Sequence, residues 1–279
     1  METHRIHAEL LERRVSVLVA GCGGTGSAVV SALPYLHQAL LAYGHPGGLK
    51  VTVMDGDVVS PTNCIRQPFA CSEIGLSKVM VLVNRLNIFW GLDWEAVPED
   101  VSENHPIQHA NIVIGCVDTR AARAVIDRQI TGNSAIHYAI DVGNRESSGQ
   151  FILGEPLNAI NRRSRNRLRT ATELFPELRD ASLDDDGQPS CSALESIERQ
   201  HVYINQALAY HALALLSRLF RYGAINYHGG FLNLETGQCV PLGPDPRVWR
   251  RIQKGGRRRD PGARSAPRTH EAGKSTADT

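Results

Sequence analysis

The six-residue run "GCGGTG" at positions 21–26 constrains this chain more than any other feature. It ends one apolar stretch, "VSVLVA", and precedes another of small and apolar residues, "SAVVSAL", which reads as a buried strand, a tight turn and a helix. Gly21, Gly23 and Gly26 fit the spacing G-x-G-x-x-G, and Gly24 adds a fourth glycine. Such a turn lets backbone approach a phosphate while a helix N-terminus faces the anion. A Walker A loop needs Lys and then Ser or Thr after its last glycine. Gly26 is followed by Ser27 and Ala28, which excludes that loop. The spacing alone leaves the ligand open.

Two further parallel strands follow, "GLKVTVMD" ending at Asp55 and "ANIVIGCVD" ending at Asp118. Between them, "SEIGLSKVMVLVNRLNIF" has helical spacing with Ser72 as its N-cap, and "DWEAVPEDV" reads as a short strand. The alternation predicts an α/β fold, a Rossmann-like, doubly wound, mostly parallel sheet. "AIHYAIDVGNRESSGQFILG" and "NYHGGFLNLETGQCVPLG" each predict two strands around a polar turn, which adds antiparallel strands. In doubly wound sheets ligands sit at the carboxyl ends of the strands, so Asp55 and Asp118 are expected to face the ligand of the glycine loop.

Residues 155–192 are polar and aperiodic and predict a long exposed crossover. "ALESIERQHVYINQALAYHALALLSRLF" then predicts one long helix over about 193–220. A main domain is expected over 1–252. The remainder, 253–279, is rich in Arg and Gly and is expected to be a disordered basic tail. Its "RRRD" run is expected to be solvated, without a nucleic-acid role.

Thirty basic against twenty-nine acidic side chains give a net charge of +1, so no overall field recruits nucleic acid or a membrane. The start, "METHRIHAELLERR", is charged and lacks an apolar leader, and no apolar run approaches the ~20 residues of a membrane span. A cytoplasmic location is expected. Six cysteines, at 22, 64, 71, 116, 191 and 239, form no C-x-x-C pair, and no structural zinc is expected.

Four segments occur in order: "GCGGTG" at 21–26, "DGDVVSPTNCIRQ" at 55–67, "IGLSK" at 74–78 and "CVDTRAAR" at 116–123. Together they resemble the superfamily of ThiF, MoeB and the ubiquitin-activating enzymes over roughly residues 15–150. That superfamily's pattern D-x-D-x-V-x-x-x-N-x-x-R-Q is matched without a gap by Asp55, Asp57, Val58, Asn63, Arg66 and Gln67. Length, "PSCSALESIERQHVYIN" and the lack of cysteine pairs resemble most the ThiF-related member of mobile-element ParB-related cassettes.

The resemblance implies ATP-dependent adenylation of the C-terminal carboxylate of a ubiquitin-like β-grasp protein by a homodimer. Asp55, Asp57, Asn63 and Gln67 are then expected to bind nucleotide with the glycines. Arg66 and Lys78 aim positive charge at the triphosphate, because a carboxylate must attack an already anionic phosphate. Asp118 is expected to hold Mg²⁺. Cys191, in "QPSCSALES" before the predicted long helix, matches the Pro-x-Cys-Thr or Ser segment of thioester-forming relatives. Its alternative is a small buried side chain, and Cys22, Cys64 or a thiol of a downstream protein stand as other acceptors.

Two departures are visible. Thr119 stands where relatives commonly carry Asn, and the N-terminal Arg motif that relatives supply across a dimer is not recognisable; Arg5, Arg13 and Arg14 are its candidate substitutes. Arg123 keeps the family spacing, with pairing to an acid as its structural alternative. Three other functions remain open: an NAD-dependent oxidoreductase, a nucleotide-binding module without turnover, and activation of a small-molecule or RNA-linked carboxylate. Asp55 lies 29 residues after Gly26, further than the ~20 of dinucleotide folds, which argues against the first.

Overall fold

The strand Val15–Ala20 sets the layering: Val15, Val17 and Val19 enter one apolar cluster, while Leu18 and Ala20 enter another on the opposite face. Ile112 and Ile114 alternate with Val113 in the same way, as do Tyr138 and Ile140 with Ala139. Side chains alternate across a strand, so a strand apolar at every position must be covered on both faces.

The computed structural model describes residues 2–164, 166–184 and 201–256. Along the chain run β1 (His4–Arg5), α1 (Glu9–Glu12), β2 (Val15–Ala20), α2 (Gly24–Ala42), β3 (Leu49–Met54), α3 (Asn63–Arg66), α4 (Lys78–Trp90) and β4 (Glu95–Val97). Then come β5 (Ile112–Gly115), α5 (Arg120–Ile130), β6 (Tyr138–Asn144), β7 (Ser148–Gly154), α6 (Ala171–Leu174) and α7 (Ile204–Tyr222). The last elements are β8 (Ala224–Ile225), β9 (Gly229–Asn233), β10 (Gln238–Leu242) and α8 (Pro246–Gly256).

Eight strands form one sheet in the order β10-β9-β7-β6-β5-β2-β3-β4, and β1 pairs with β8 apart from it. The neighbours from β6 to β4 are parallel; β7, β9 and β10 add on antiparallel. This is the expected Rossmann-like doubly wound sheet with added antiparallel strands. From β2 the chain builds outward through β3 and β4, then returns to β5 on the other side. The crevice outside the carboxyl ends of β2 and β5 is therefore the switch point where such sheets bind ligands.

The larger cluster is covered by α2, α4 and α7. In α7, Leu208, Ala212, Leu215, Leu216 and Leu219 are buried at helical spacing. On the opposite face Ile126 and Ile130 of α5 pack against Leu18, Val113 and Ala139.

Several boundaries differ from the sequence expectations. The helix expected to start at Ser72 starts at Lys78, with Ser77 as N-cap. Residues 71–73 form a separate 3-10 turn, and Gly75 at φ +87° breaks the path between the two. The crossover is not exposed throughout: Asn161, Leu168, Ala171 and Leu174 are buried, and Arg167 reaches Glu173 and the Glu155 carbonyl. A buried Arg paired with a carboxylate is a tertiary device that aperiodic sequence does not advertise. The long helix begins at Ile204 among the described residues, and positions 201–203 are not helical. Near the boundary at 252/253, α8 runs from Pro246 to Gly256, and Trp249 on it donates its Nε1–H to His228 Nε2 at 3.1 Å.

Candidate functional site

Each glycine of the loop makes room for something different. Gly21 adopts φ +94°, and a Cβ there would lie 2.8 Å from the Cys116 carbonyl oxygen of the neighbouring loop. A Cβ on Gly26 would meet the Gly21 carbonyl oxygen at 1.9 Å, so this glycine allows helix α2 to close onto its own turn. Gly24 makes room for the side chain of Asn205, whose Nδ2 is 2.5 Å from the Cβ position. Only Gly23 among the four has nothing within 4 Å of its Cβ position.

Gly21, Gly23 and Gly24 border a cleft of about 720 Å³ at the switch point. Asp55, Asp57, Asn63, Arg66, Gln67, Lys78 and Asp118 line it as well, which places every expected nucleotide residue except Gly26 on one surface. The volume lies in the range of small-molecule sites, ~300–1,000 Å³.

Asp55 follows β3 and is buried. Its carboxylate accepts the Cys22 amide at 2.5 Å and the Asp57 amide at 2.8 Å. Burial pushes its pKa above the ordinary carboxylate value, and those two amides with Lys78 oppose the shift. The carboxylate thus ties the glycine loop to the end of β3. Lys78, the first residue of α4, is only 5% exposed, and its Nζ pairs with Asp57 Oδ2 at 2.7 Å. Arg66 ends α3, and burial lowers its pKa. Asn63 Oδ1 accepts the Ser60 amide at 2.8 Å, which shapes the turn that delivers Arg66 and Gln67. Arg66 and Lys78 thus line the same cleft as the glycine loop, and cations beside a helix N-terminus can hold a polyanion.

Asp118, which also lines the cleft, lies beyond β5 and before α5. Thr119 is the N-cap of α5, its Oγ1 accepting the Ala122 amide at 3.2 Å. The departure to Thr thus keeps the cap. Asp184 accepts the amides of Arg120 at 2.7 Å and Ala121 at 3.0 Å, so the crossover supplies its own anion to the N-terminus of α5. Arg123 pairs with Asp141 of β6 at 2.9 Å, its structural alternative, while still lining the cleft.

Some residues lie elsewhere. Arg13 pairs with Glu9, Arg14 pairs with Asp93, and none of Arg5, Arg13 and Arg14 lines the cleft of its own chain. Cys22 is fully buried, and burial raises its thiol to about 12, which leaves no thiolate at neutral pH and unfits it as the acceptor. Cys191 lies outside the described residues. Sequence reasoning missed Thr25, Asn144 and Asn205, whose side chains meet at the glycine loop: Thr25 Oγ1 lies 2.9 Å from Asn205 Oδ1 and 3.3 Å from Asn144 Oδ1. Thr25 was inside the quoted motif, and Asn144 ends a strand as Asp55 does. Asn205 had no local signal.

The ThiF family model matches residues 7–234. The chain belongs to the ThiF family. Solved structures agree on this fold. Escherichia coli MccB with ATP is 16% identical, with a TM-score of 0.56 over 85% of this chain and 66% of that one. MccB with MccA gives a TM-score of 0.54 at 16% identity over the same shares. PaaA is 14% identical, with a TM-score of 0.54 over 82% of this chain and 64% of that one. This ThiF-family chain thus spans just under two thirds of the length of these structures. No curated protein sequence matches it significantly. Among the described residues no helix is long and apolar enough to cross a membrane.

Proposed function

We propose that this ThiF-family chain is an adenylyltransferase that uses ATP to activate the C-terminal carboxylate of a ubiquitin-like β-grasp protein. The observation that carries the reading is that Lys78 and Arg66 line one cleft with the glycine loop and Asp118. Support comes also from MccB, a structural neighbour solved with ATP and with MccA.

In this reading a carboxylate oxygen of the acceptor attacks the α-phosphorus, the new O–P bond forms as the α–β bridge breaks, and pyrophosphate leaves. Asp55 accepts from ribose hydroxyls, and Asn63 and Gln67 contact the nucleotide. Lys78 and Arg66 neutralise the charge that moves onto the departing pyrophosphate, Lys78 exchanging Asp57 for phosphate oxygens. Asp118 is the metal residue. Among the described residues no group of three or more His, Cys, Asp or Glu could hold an ion by itself. A lone carboxylate suits Mg²⁺, which is commonly held by one or two carboxylates plus phosphate oxygens and water. Bound there, it would supply further positive charge to the phosphates.

The reading includes transfer of the acyl group to Cys191 as a thioester with release of AMP, a homodimer, and work in the cytoplasm. It also includes the narrower kinship with ParB-related cassettes, whose diagnostic segment lies partly in 185–200. Pyrophosphate exchange into ATP, measured with a β-grasp protein bearing a free C-terminus and with its C-terminal carboxamide, tests the reaction. Exchange that requires the free carboxylate is expected. Equal exchange with both, or none with any β-grasp protein or carboxylate peptide, would overturn it.

A further inference from the structure

We propose that Asn205 is a phosphate-binding residue of this cleft, its Nδ2–H donating to a phosphoryl oxygen seated on the N-terminus of α2. The proposal rests on the nucleotide reading above and deepens it. Asn205 is the second residue of α7, is 1% exposed, and lines the cleft. Its Oδ1 accepts from Thr25 Oγ1 at 2.9 Å, which fixes the plane of the amide and turns Nδ2 away. Nδ2 then carries two hydrogens and no acceptor among the described residues. Buried amide donors are almost always paired, so an unmet one beside a cleft marks where a ligand atom belongs.

The place of that atom follows from the loop. Nδ2 lies 2.5 Å from the Cβ position of Gly24, directly over the first residue of α2. Of the helix N-termini that border the cleft, those of α2 and α5 are not equivalent. At α5 the amides of Arg120, Ala121 and Ala122 are already taken by Asp184 and Thr119. At α2 no side chain caps the end. Of these two ends α2 is therefore the one without a side-chain cap and left to an anion, and Asn205 is the side-chain donor standing over its first residue. Gly24 is a glycine because this amide must lie flat on the loop. A further consequence concerns the segment before α7: a phosphate held by Asn205 ties the first turn of α7 to the nucleotide.

Calorimetric titration of the full chain with ATP and Mg²⁺, with AMP and with adenosine, for wild type and Asn205→Asp, tests the idea. The expected result is a loss of at least tenfold in affinity for ATP and AMP, with adenosine within twofold of wild type. Unchanged ATP and AMP affinities would overturn the assignment, and so would an equal loss for adenosine, which marks a purely structural role. A wild-type chain that binds none of the three overturns the nucleotide reading itself. Should Asn205→Asp fail to fold, asparagine-selective ¹⁵N labelling of wild type decides. The Asn205 side-chain amide pair, assigned through its contact with the Thr25 methyl, should shift with AMP and not with adenosine. A pair unmoved by AMP overturns the proposal.

Discussion

Gly23 and Gly26 both belong to the spacing G-x-G-x-x-G, yet the same substitution at each should have opposite consequences. In Gly26→Ala the new Cβ is placed 1.9 Å from the Gly21 carbonyl oxygen and 2.7 Å from its carbon, both backbone atoms. Relief requires about 1.5 Å of movement between the first turn of α2 and the end of β2, against ordinary contact distances of ~3.5 Å. Overpacking of this kind costs ~1–3 kcal/mol, and the ~1 kcal/mol gained by Ala over Gly inside a helix does not offset its upper range. At ~2–4 °C per kcal/mol for a chain of this size, Tm should fall by several degrees. In Gly23→Ala the Cβ meets nothing within 4 Å, and φ is −72°, so the folded state should be unaffected. Its methyl instead projects beside the cleft and should lower ATP affinity. Differential scanning calorimetry with ATP titration separates the two. Equal Tm values for Gly26→Ala and wild type would refute the packing role, and undiminished ATP affinity in Gly23→Ala would refute the ligand role.

Removing Lys78 or Asp118 should act on chemistry. Lys78→Ala and Asp118→Ala are each expected to lower pyrophosphate exchange by 100-fold or more, the ~3 kcal/mol scale of a lost transition-state contact, and near-normal exchange in both would displace the proposed site. Acid should destabilise the fold through His228, whose pKa burial lowers from 6.5 to about 4 while Nδ1–H donates to the Leu153 carbonyl and Nε2 accepts from Trp249. The folded state then binds fewer protons than the unfolded chain, so this stability is full above pH 6.5 and is lost as pH falls toward 4, to a total of ~3 kcal/mol. His4 and His137, also lowered by burial, add the same sign, and urea midpoints that stay flat from pH 7.5 to pH 5 would contradict this. Cys191→Ala should keep pyrophosphate exchange and lose the reductant-sensitive conjugate with the acceptor. A conjugate that survives eliminates Cys191.

The parallel half of the sheet was readable because apolar runs such as "VSVLVA" and "NIVIG" end at glycine or aspartate, and those ends coincide with the switch point. The line Asp55 to Lys78 was readable for a related reason: its side chains come from one continuous excursion between β3 and α4. What sequence hid is tertiary. Asn205 reaches Thr25 across 180 positions, and Asp184 reaches the Arg120 amide across 64. Neither contact leaves a periodic trace. The burial of residues near 168–174 was hidden likewise, since its signal is the pairing of Arg167 with Glu173 and not a hydrophobic period. The spacing of the glycine motif does not by itself separate Gly23, with open space at its Cβ position, from Gly24, which borders the cleft under Asn205, and Gly26, which serves packing.

The central claim is that the cleft between the glycine loop, Lys78 and Asp118 is an ATP site. Isothermal titration of the full chain with ATP and Mg²⁺ against NAD measures this most directly. Saturable one-site binding of ATP, weakened at least tenfold in Lys78→Ala and not displaced by NAD, is the result the account predicts. Tight binding of NAD with no heat from ATP and Mg²⁺ would contradict it.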